Sequence, residues 1–310
     1  MRGVPVVFVH VHYPDVWAEM AAEIGAAFSR PFGLVLTCRD EGMELAAVDS
    51  PHLAFCERVT VENRGRDVLP FMKALQARST GFEIGLKLHT KRSTHREDGE
   101  DWRRFLARSL LAGGGGNPFV LDAMEREPRI GLVAPEAHLL ELRSRIVLNR
   151  RITRRMIDAM SLDLDLGALE TRRFAAGSMF WFRRDALLPF ADPSLDRLFV
   201  AERGQLDGTA AHAAERLFAA VAETRGYLAT ATEALEPLSH LDPAKAPLDD
   251  LRRVSERAVA SSRNPFILPL AQFWRRYPVA LVAAHYLYAY APKPVWRTAR
   301  AMLKRFTVDR

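Results

Sequence analysis

Over roughly its first 135 residues the chain alternates short apolar, β-branched runs with segments whose apolar positions recur three and four apart, and this alternation constrains the fold more than any other feature. Val4 to His12 reads as a strand, after which Asp15 is expected to cap a helix carrying Trp17, Met20, Ile24 and Phe28 on one face. Strands follow at Gly33 to Thr37, Arg58 to Glu62, Glu83 to His89 and Ile130 to Ala134. Between them lie helices at Val68 to Ala77, Asp101 to Leu111 and Pro118 to Arg126. Such a pattern predicts an α/β fold, a Rossmann-like, mainly parallel sheet with flanking helices. In sheets of this kind ligands sit outside the carboxyl ends of the strands.

From Glu136 to Arg173 the pattern weakens around a basic cluster, which predicts an insertion or partly helical flap over the site. A second patterned block holds a strand at Ser178 to Phe182 and a helix at Thr209 to Thr224, and Pro237, Pro243 and Pro247 mark a linker. The expected organisation is one α/β domain over residues 1–236 and a linker with a basic, aromatic-rich helical tail over residues 237–310.

Charge is distributed unevenly. The formal net charge is +6, yet residues 243–310 alone carry +9, leaving −3 for the rest. A basic tail with interleaved aromatics (Trp274, Tyr277, Tyr290, Trp296, Phe306) suits an anionic membrane interface, and no recognised module accompanies it that would point to nucleic acid. The longest stretch without Asp, Glu, Lys or Arg, Tyr277 to Pro292, is shorter than the ~20 residues a spanning helix needs. Two cysteines, Cys38 and Cys56, cannot form a disulfide framework and read as buried thiols of a reducing compartment. These features together predict a cytoplasmic protein, peripheral on the inner face of the cytoplasmic membrane.

The strand ends are unusually polar. At the third, Glu62-Asn63-Arg64-Gly65-Arg66-Asp67 combines a glycine turn, two guanidinium groups and a helix start whose free N–H groups favour an anion, as a diphosphate cradle requires. At the fourth, Lys87, His89 and Lys91 should share a face by strand alternation, with Arg92 and the hydroxyls of Thr90 and Ser93 beside them. A core face cannot hold three such groups without an anionic partner, and a phosphate or sugar-acid ligand would supply one. His10 and His12 end the first strand. Further on, Gly177 and Ser178 could let a sugar ring approach the backbone, while Glu202, Gln205, Asp207, His212, Glu215 and Arg216 gather at a loop and helix start. There Asp207 could equally cap the helix, and Glu215 could simply hold His212 in place. Asp163-Leu164-Asp165 has the form of a metal-nucleotide motif but does not end a central strand. Zinc ligation by His10, His12, His89 and His212 lacks a supporting His-Glu-x-x-His or paired-Cys pattern.

In order, His10-Val11-His12-Tyr13, Glu62 to Phe71, Leu86 to Ser93, Trp102-Arg103, Ile130 to Val133, Gly177 to Arg183 and Gly204 to Thr209 resemble the rhamnan synthesis F family of bacterial polysaccharide glycosyltransferases. The resemblance covers residues 4 to 236. It implies a GT-A-like fold and transfer of rhamnose or another deoxyhexose from a nucleotide-sugar donor (dTDP-rhamnose or similar) to a growing cell-surface polysaccharide such as an O-antigen. A lipid-linked glycan acceptor would bring the basic tail to the membrane. Where many GT-A enzymes carry an Asp-x-Asp metal site, this chain has His89-Thr90-Lys91, so catalysis without a cofactor is expected and Mg²⁺ or Mn²⁺ is not required. In this scheme Asp207 is the base, with Glu202 and His212 in reserve. Arg64, Arg66, Lys87, Lys91 and Arg92 face the diphosphate, Asn63 and Asp67 the ribose or donor sugar, His12 the nucleobase, and Gly65, His89, Gly177 and Ser178 complete the substrate site. Two other readings are a non-catalytic saccharide-binding or assembly subunit and a His-rich metallohydrolase.

Overall fold

A computed structural model describes residues 3–92, 98–114, 116–202 and 207–266, together with residues 277, 279, 280 and 283. Residues 1–266 form one compact unit and residues 267–310 a second. Most of the predicted tail beyond Phe266, together with Ser93, Gly204 and Gln205, lies outside the described residues.

The chain opens with β1 (Val6–His10), α1 (Pro14–Ala27), β2 (Phe32–Cys38), β3 (Leu53–Thr60), α2 (Val68–Ala77), β4 (Ile84–His89), α3 (Gly99–Leu111), α4 (Phe119–Arg126) and β5 (Ile130–Ala134). It continues through β6 (Leu139–Glu141), α5 (Arg150–Ala159), α6 (Leu166–Leu169), β7 (Arg173–Ala175), β8 (Phe180–Arg183) and α7 (Arg184–Leu187). The unit ends with α8 (Ala210–Thr224), β9 (Leu228–Ala231), α9 (Leu235–Ser239) and α10 (Leu248–Ser261). Seven strands make one sheet in the order β3-β2-β1-β4-β8-β5-β9. Only β8 runs against its neighbours; β6 and β7 form a separate antiparallel pair. The architecture is the expected α/β Rossmann-like one.

Strand periodicity explains the two cores. Val6 and Phe8 of β1 and Phe180 and Phe182 of β8 face α2 and α8, where Phe71 and Phe218 complete a cluster of edge-to-face and tilted rings. Val7, Val9 and Trp181 face the other way, onto Trp17 and Ile24 of α1 and Leu106 and Leu110 of α3. The aromatics before Arg183 are therefore core packing on both faces. The single-sided pattern of β3, inward at every second residue, marks it as the sheet edge and leaves Cys56 exposed, so of the two expected buried thiols only Cys38 is one.

Several local expectations are redirected. Asp15 lies inside α1, which Pro14 opens, and pairs with Arg92 instead of capping. The segment from Glu136 to Arg173 is partly helical, as expected, and is packed into the body: Thr153, Met156 and Ile157 bury one face of α5, which packs on α8. Asp165 caps α6 by accepting from Gly167 and Ala168 N–H, which accounts for the Asp-x-Asp string. Beyond the three prolines, α10 buries Leu251 and Val259 and ties Ser255 to Thr230 of β9, and the compact unit runs through Phe266.

Candidate active site

Strand order decides where the site lies. From β1 the chain winds outward to β2 and β3, then returns to place β4 on the other side of β1, so the carboxyl ends of β1 and β4 flank a topological switch point. His10 and His89, the last residues of those strands, are register partners. Buried Thr90 stitches the crevice floor: its N–H donates to the His10 carbonyl, and its hydroxyl accepts from the N–H groups of His12 and Tyr13 at 2.9 and 3.0 Å. This hydroxyl, expected to face a ligand, instead fixes the turn into α1.

The loop after β3 is shaped by two consecutive left-handed residues, Gly65 (φ 68°) and Arg66 (φ 57°). A Cβ on Gly65 would fall 2.5 Å from Leu69 Cβ and 2.7 Å from the Phe199 ring, so only glycine fits. Arg64 is drawn onto Glu62 and the carbonyls of Asp196 and Phe199, and Arg66 Nε donates to Glu202 at 2.9 Å. A second left-handed pair, Gly177 (φ 86°) and Ser178 (φ 56°), precedes β8, where a Cβ on Gly177 would press to 2.7 Å from Leu106. Through that turn the Gly177 carbonyl accepts from His89 Nε2 at 2.8 Å, and the Gly177 N–H donates to Glu215 Oε1 at 3.1 Å.

The anion that Lys87 needs is built into the protein. Its ammonium, 1% exposed, donates to Asp67 Oδ2 (2.7 Å), the Ser178 carbonyl (2.6 Å) and Ser178 Oγ (2.9 Å). Those three acceptors use all three of its protons, leaving none for a diphosphate, and Lys87 lines neither cleft described below. Asp67, expected at the ribose or donor sugar, spends its carboxylate on Lys87 instead and makes no capping bond to α2. Burial alone would raise its pKa, but Lys87, then His89 and Lys91, outweigh that and hold Asp67 well below the usual carboxylate range. The buried cation thus has the anionic partner its burial demands, in Asp67 and not in a ligand.

Two adjoining clefts result. The larger, about 370 Å³, is lined by His10, His12, Tyr13, Asn63, Arg64, Gly65, Arg66, Asp67, Lys91, Arg92 and Glu202. The smaller, about 160 Å³, is lined by Arg66, Asp67, Val68, His89, Lys91, Trp102, Gly177, Ser178, Ala211, His212 and Glu215. Arg66, Asp67 and Lys91 belong to both. The larger cleft is cationic, with the Arg92 guanidinium 5.1 Å from the Tyr13 ring and His12 edge-on to Tyr13. Its imidazoles add little charge: burial lowers His10 to about 4 and, with Arg39 and Lys91 opposing a proton, lowers His12 as well. Around the smaller cleft burial lowers His89 to about 4 and His212 to about 3, so both are neutral near pH 7.

Of the three expected catalytic residues, Glu202 lines the larger cleft and His212 the smaller, while Asp207 lines neither. Asp207 accepts from Asn149 Nδ2 (2.8 Å) and Gly208 N–H (3.0 Å) through Oδ1, and from Arg216 Nη2 (3.1 Å) through Oδ2. It holds the start of α8 in place. His212 belongs to a capping box, its Nδ1 2.9 Å from Thr209 Oγ1. Glu215 and Trp102 enter the site without having been assigned a role in its chemistry. For Glu215 the signal was present, a charge one turn into a helix otherwise rich in alanine. Among the described residues no cluster of three or more His, Cys, Asp or Glu side chains has metal-binding geometry.

Fold and site together define a Rossmann-like α/β protein whose strand-end crevice pairs a cationic cleft with a smaller one bearing a carboxyl. The chain belongs to the rhamnan synthesis protein F family, whose model matches residues 4–227, all of the main sheet except β9. Two relatives, both called uncharacterized protein WxcX, come from Xanthomonas campestris pv. campestris strains B100 and ATCC 33913. Each is 36% identical over 231 residues, covering 73% of this chain and 32% of the relative. The chain therefore spans about a third of the length of these relatives.

Proposed function

We propose that this chain is a GT-A-like glycosyltransferase that transfers rhamnose or another deoxyhexose from a nucleotide-sugar donor to a growing polysaccharide. The carrying observation is the larger cleft, which gathers Arg64, Arg66, Lys91 and Arg92 at the switch point of a Rossmann-like sheet beside the rings of His12 and Tyr13. Guanidinium and ammonium groups suit a diphosphate, and the two rings suit a base. Leaving-group charge is met by these cations, so the reaction proceeds without Mg²⁺ or Mn²⁺. His89-Thr90-Lys91 supports this reading, because it puts an imidazole, a hydroxyl and an ammonium where a metal site would need carboxylates.

The acceptor in this scheme is a lipid-linked glycan, and the basic, aromatic segment after Phe266 brings the enzyme to an anionic membrane surface, peripherally on its cytoplasmic side. Among the described residues no helix is long and apolar enough to cross a membrane.

Thermal-shift and calorimetric titration against nucleoside diphosphates and nucleotide sugars, with and without Mg²⁺ or Mn²⁺, tests the proposal. A selective, metal-independent shift followed by nucleoside diphosphate release in the presence of a rhamnose-containing lipid-linked acceptor is the expected outcome. Saccharide binding without turnover with any donor would instead indicate a non-catalytic assembly subunit, and stoichiometric zinc with hydrolysis a metallohydrolase.

A further inference from the structure

We propose that Glu215 is the general base of the transfer and that the smaller cleft seats the acceptor hydroxyl against it, over the Trp102 ring. This rests on the transferase function proposed above and assigns a role and an address within it.

Among the described residues three carboxylates line the clefts, Asp67, Glu202 and Glu215, and with Asp207, the base expected from sequence, they are separated by their surroundings. Asp67 is paired through Oδ2 with the buried Lys87 ammonium, which holds it well below the usual carboxylate range and makes it a weak base, and Asp207 has both oxygens engaged and lines neither cleft. Glu202 lies in the donor-sized cleft with Arg66 on one oxygen and the Thr209 hydroxyl on the other. Glu215 differs. Its Oε1 is anchored by the Gly177 N–H, whereas Oε2 has only the Arg216 guanidinium at 4.0 Å, outside hydrogen-bonding range, and the side chain keeps 21% of its exposure where it lines the smaller cleft. One oxygen fixed and one presented is the arrangement a base needs, since the reacting oxygen is then aimed without being occupied.

Its surroundings also strengthen it as a base. Burial raises the carboxyl above its ordinary range, and Asp67 adds to this, while Arg216, Lys91 and the Gly177 N–H oppose it. Arg216 and His212 lie on its own helix; Asp67 stands just before α2, Lys87 and His89 on β4, Lys91 just beyond that strand and Arg66 in the loop after β3. Trp102 offers a rigid apolar wall for the ring of an acceptor sugar, because its Nε1 donates to His138 Nε2 at 2.7 Å and fixes the indole.

The step balances without another reactant. The acceptor O–H gives its proton to Glu215 Oε2, the freed oxygen pair bonds to the anomeric carbon, and the bond from that carbon to the diphosphate oxygen breaks. The departing diphosphate keeps the electron pair as new negative charge beside Arg66 and Lys91, the two cations shared by both clefts. A single displacement inverts the anomeric configuration.

Glu215→Gln in the full chain should lower kcat by at least ~100-fold, the scale of a lost general base, while nucleoside diphosphate affinity measured by calorimetry stays unchanged. Wild-type kcat should show an acid limb displaced above the ordinary carboxylate range, the limb should vanish from the residual rate of Glu215→Gln, and Glu215→Asp should restore part of the activity with the limb. Product NMR should show inversion. Undiminished turnover by Glu215→Gln, an acid limb that persists in it, or retention of configuration overturns the assignment, and loss of the limb in Asp207→Asn alone transfers the role to Asp207. Should Glu215→Gln fail to fold, the stereochemistry and the Glu215→Asp pH profile decide alone. A wild-type chain that binds no nucleotide sugar overturns the transferase function and the base with it.

Discussion

The two clefts share Arg66, Asp67 and Lys91 but are built on opposite electrostatic plans. In the larger, cations reach the surface on long side chains and neutral histidines form the wall, an environment for binding a charged group while water still screens it. In the smaller, the cation Lys87 is hidden behind the wall while its counterion Asp67 joins the lining, and beside the shared Arg66 and Lys91 stand a carboxyl raised by burial, two neutral imidazoles and an indole. One cleft is suited to holding charge, the other to moving a proton. The difference arises because β4 sends Lys87 under the floor, where Asp67 and Ser178 consume it, and releases Lys91 only after the strand has ended.

The buried pair beneath the floor is where this contrast breaks most completely. Lys87→Met leaves Asp67 charged without a partner and should cost about 3–5 kcal/mol in urea unfolding, with both clefts lost together. Adding Asp67→Asn should recover much of the loss; a double variant no more stable than the single would show that the pair does not act as a unit.

Acidification is the next largest perturbation. His10 and His89 have folded pKa values of about 4 and His212 about 3, each below the 6.5 of an ordinary imidazole. The unfolded chain therefore binds more protons between these values, so stability is complete above pH 6.5 and falls as pH drops toward 4. Depression of Asp67 continues that loss at lower pH, whereas the raised Glu215 runs the other way and offsets a part. Melting temperature against pH should thus begin its decline in the imidazole range; a curve flat down to the carboxylate range would show that these rings are not buried neutral.

Lys91→Ala removes a cation common to both clefts and should weaken nucleoside diphosphate binding by about 1.5–3 kcal/mol, with a shallower salt dependence, as read by calorimetry. The smallest effect sharpens the contrast. Glu202→Gln removes the carboxylate that pairs with Arg66 in the cationic cleft, and should improve diphosphate affinity by a fraction of 1 kcal/mol, about the worth of a partly exposed ion pair. Turnover abolished by Glu202→Gln would instead put the base in the larger cleft.

Much of the fold was legible. Alternating periods located the strands of the switch point, and the α2 and β5 boundaries match the sequence expectation throughout. The loop after β3 was legible as a glycine turn with two arginines because its signals are local. What sequence hid was the use of polar residues by distant parts of the chain. Lys87 looked available because Ser178 lies far away in sequence, and Thr90 looked like a ligand hydroxyl because the N–H groups of His12 and Tyr13 come from the end of β1, adjacent in the sheet but distant along the chain. Asp207 suited a base by position along the chain, yet Asn149, from the weakly patterned segment, takes one of its oxygens. Glu215 carried its anomaly openly, but only the Gly177 turn gives it an orientation.

The reversed strand β8 has a consequence for how the chain becomes this structure. Gly85 to His89 of β4 pair on one side with β1, already synthesised, and Ile84 to Lys87 pair on the other with Phe180 to Arg183, which emerge only after α3, α4, β5, α5 and α6. Until β8 slots between β4 and β5, a nascent or truncated chain presents β4 as an open, apolar edge able to recruit a strand from another molecule. The non-local closure makes the central sheet slow to complete, and fragments ending before Arg183 should aggregate where longer ones fold.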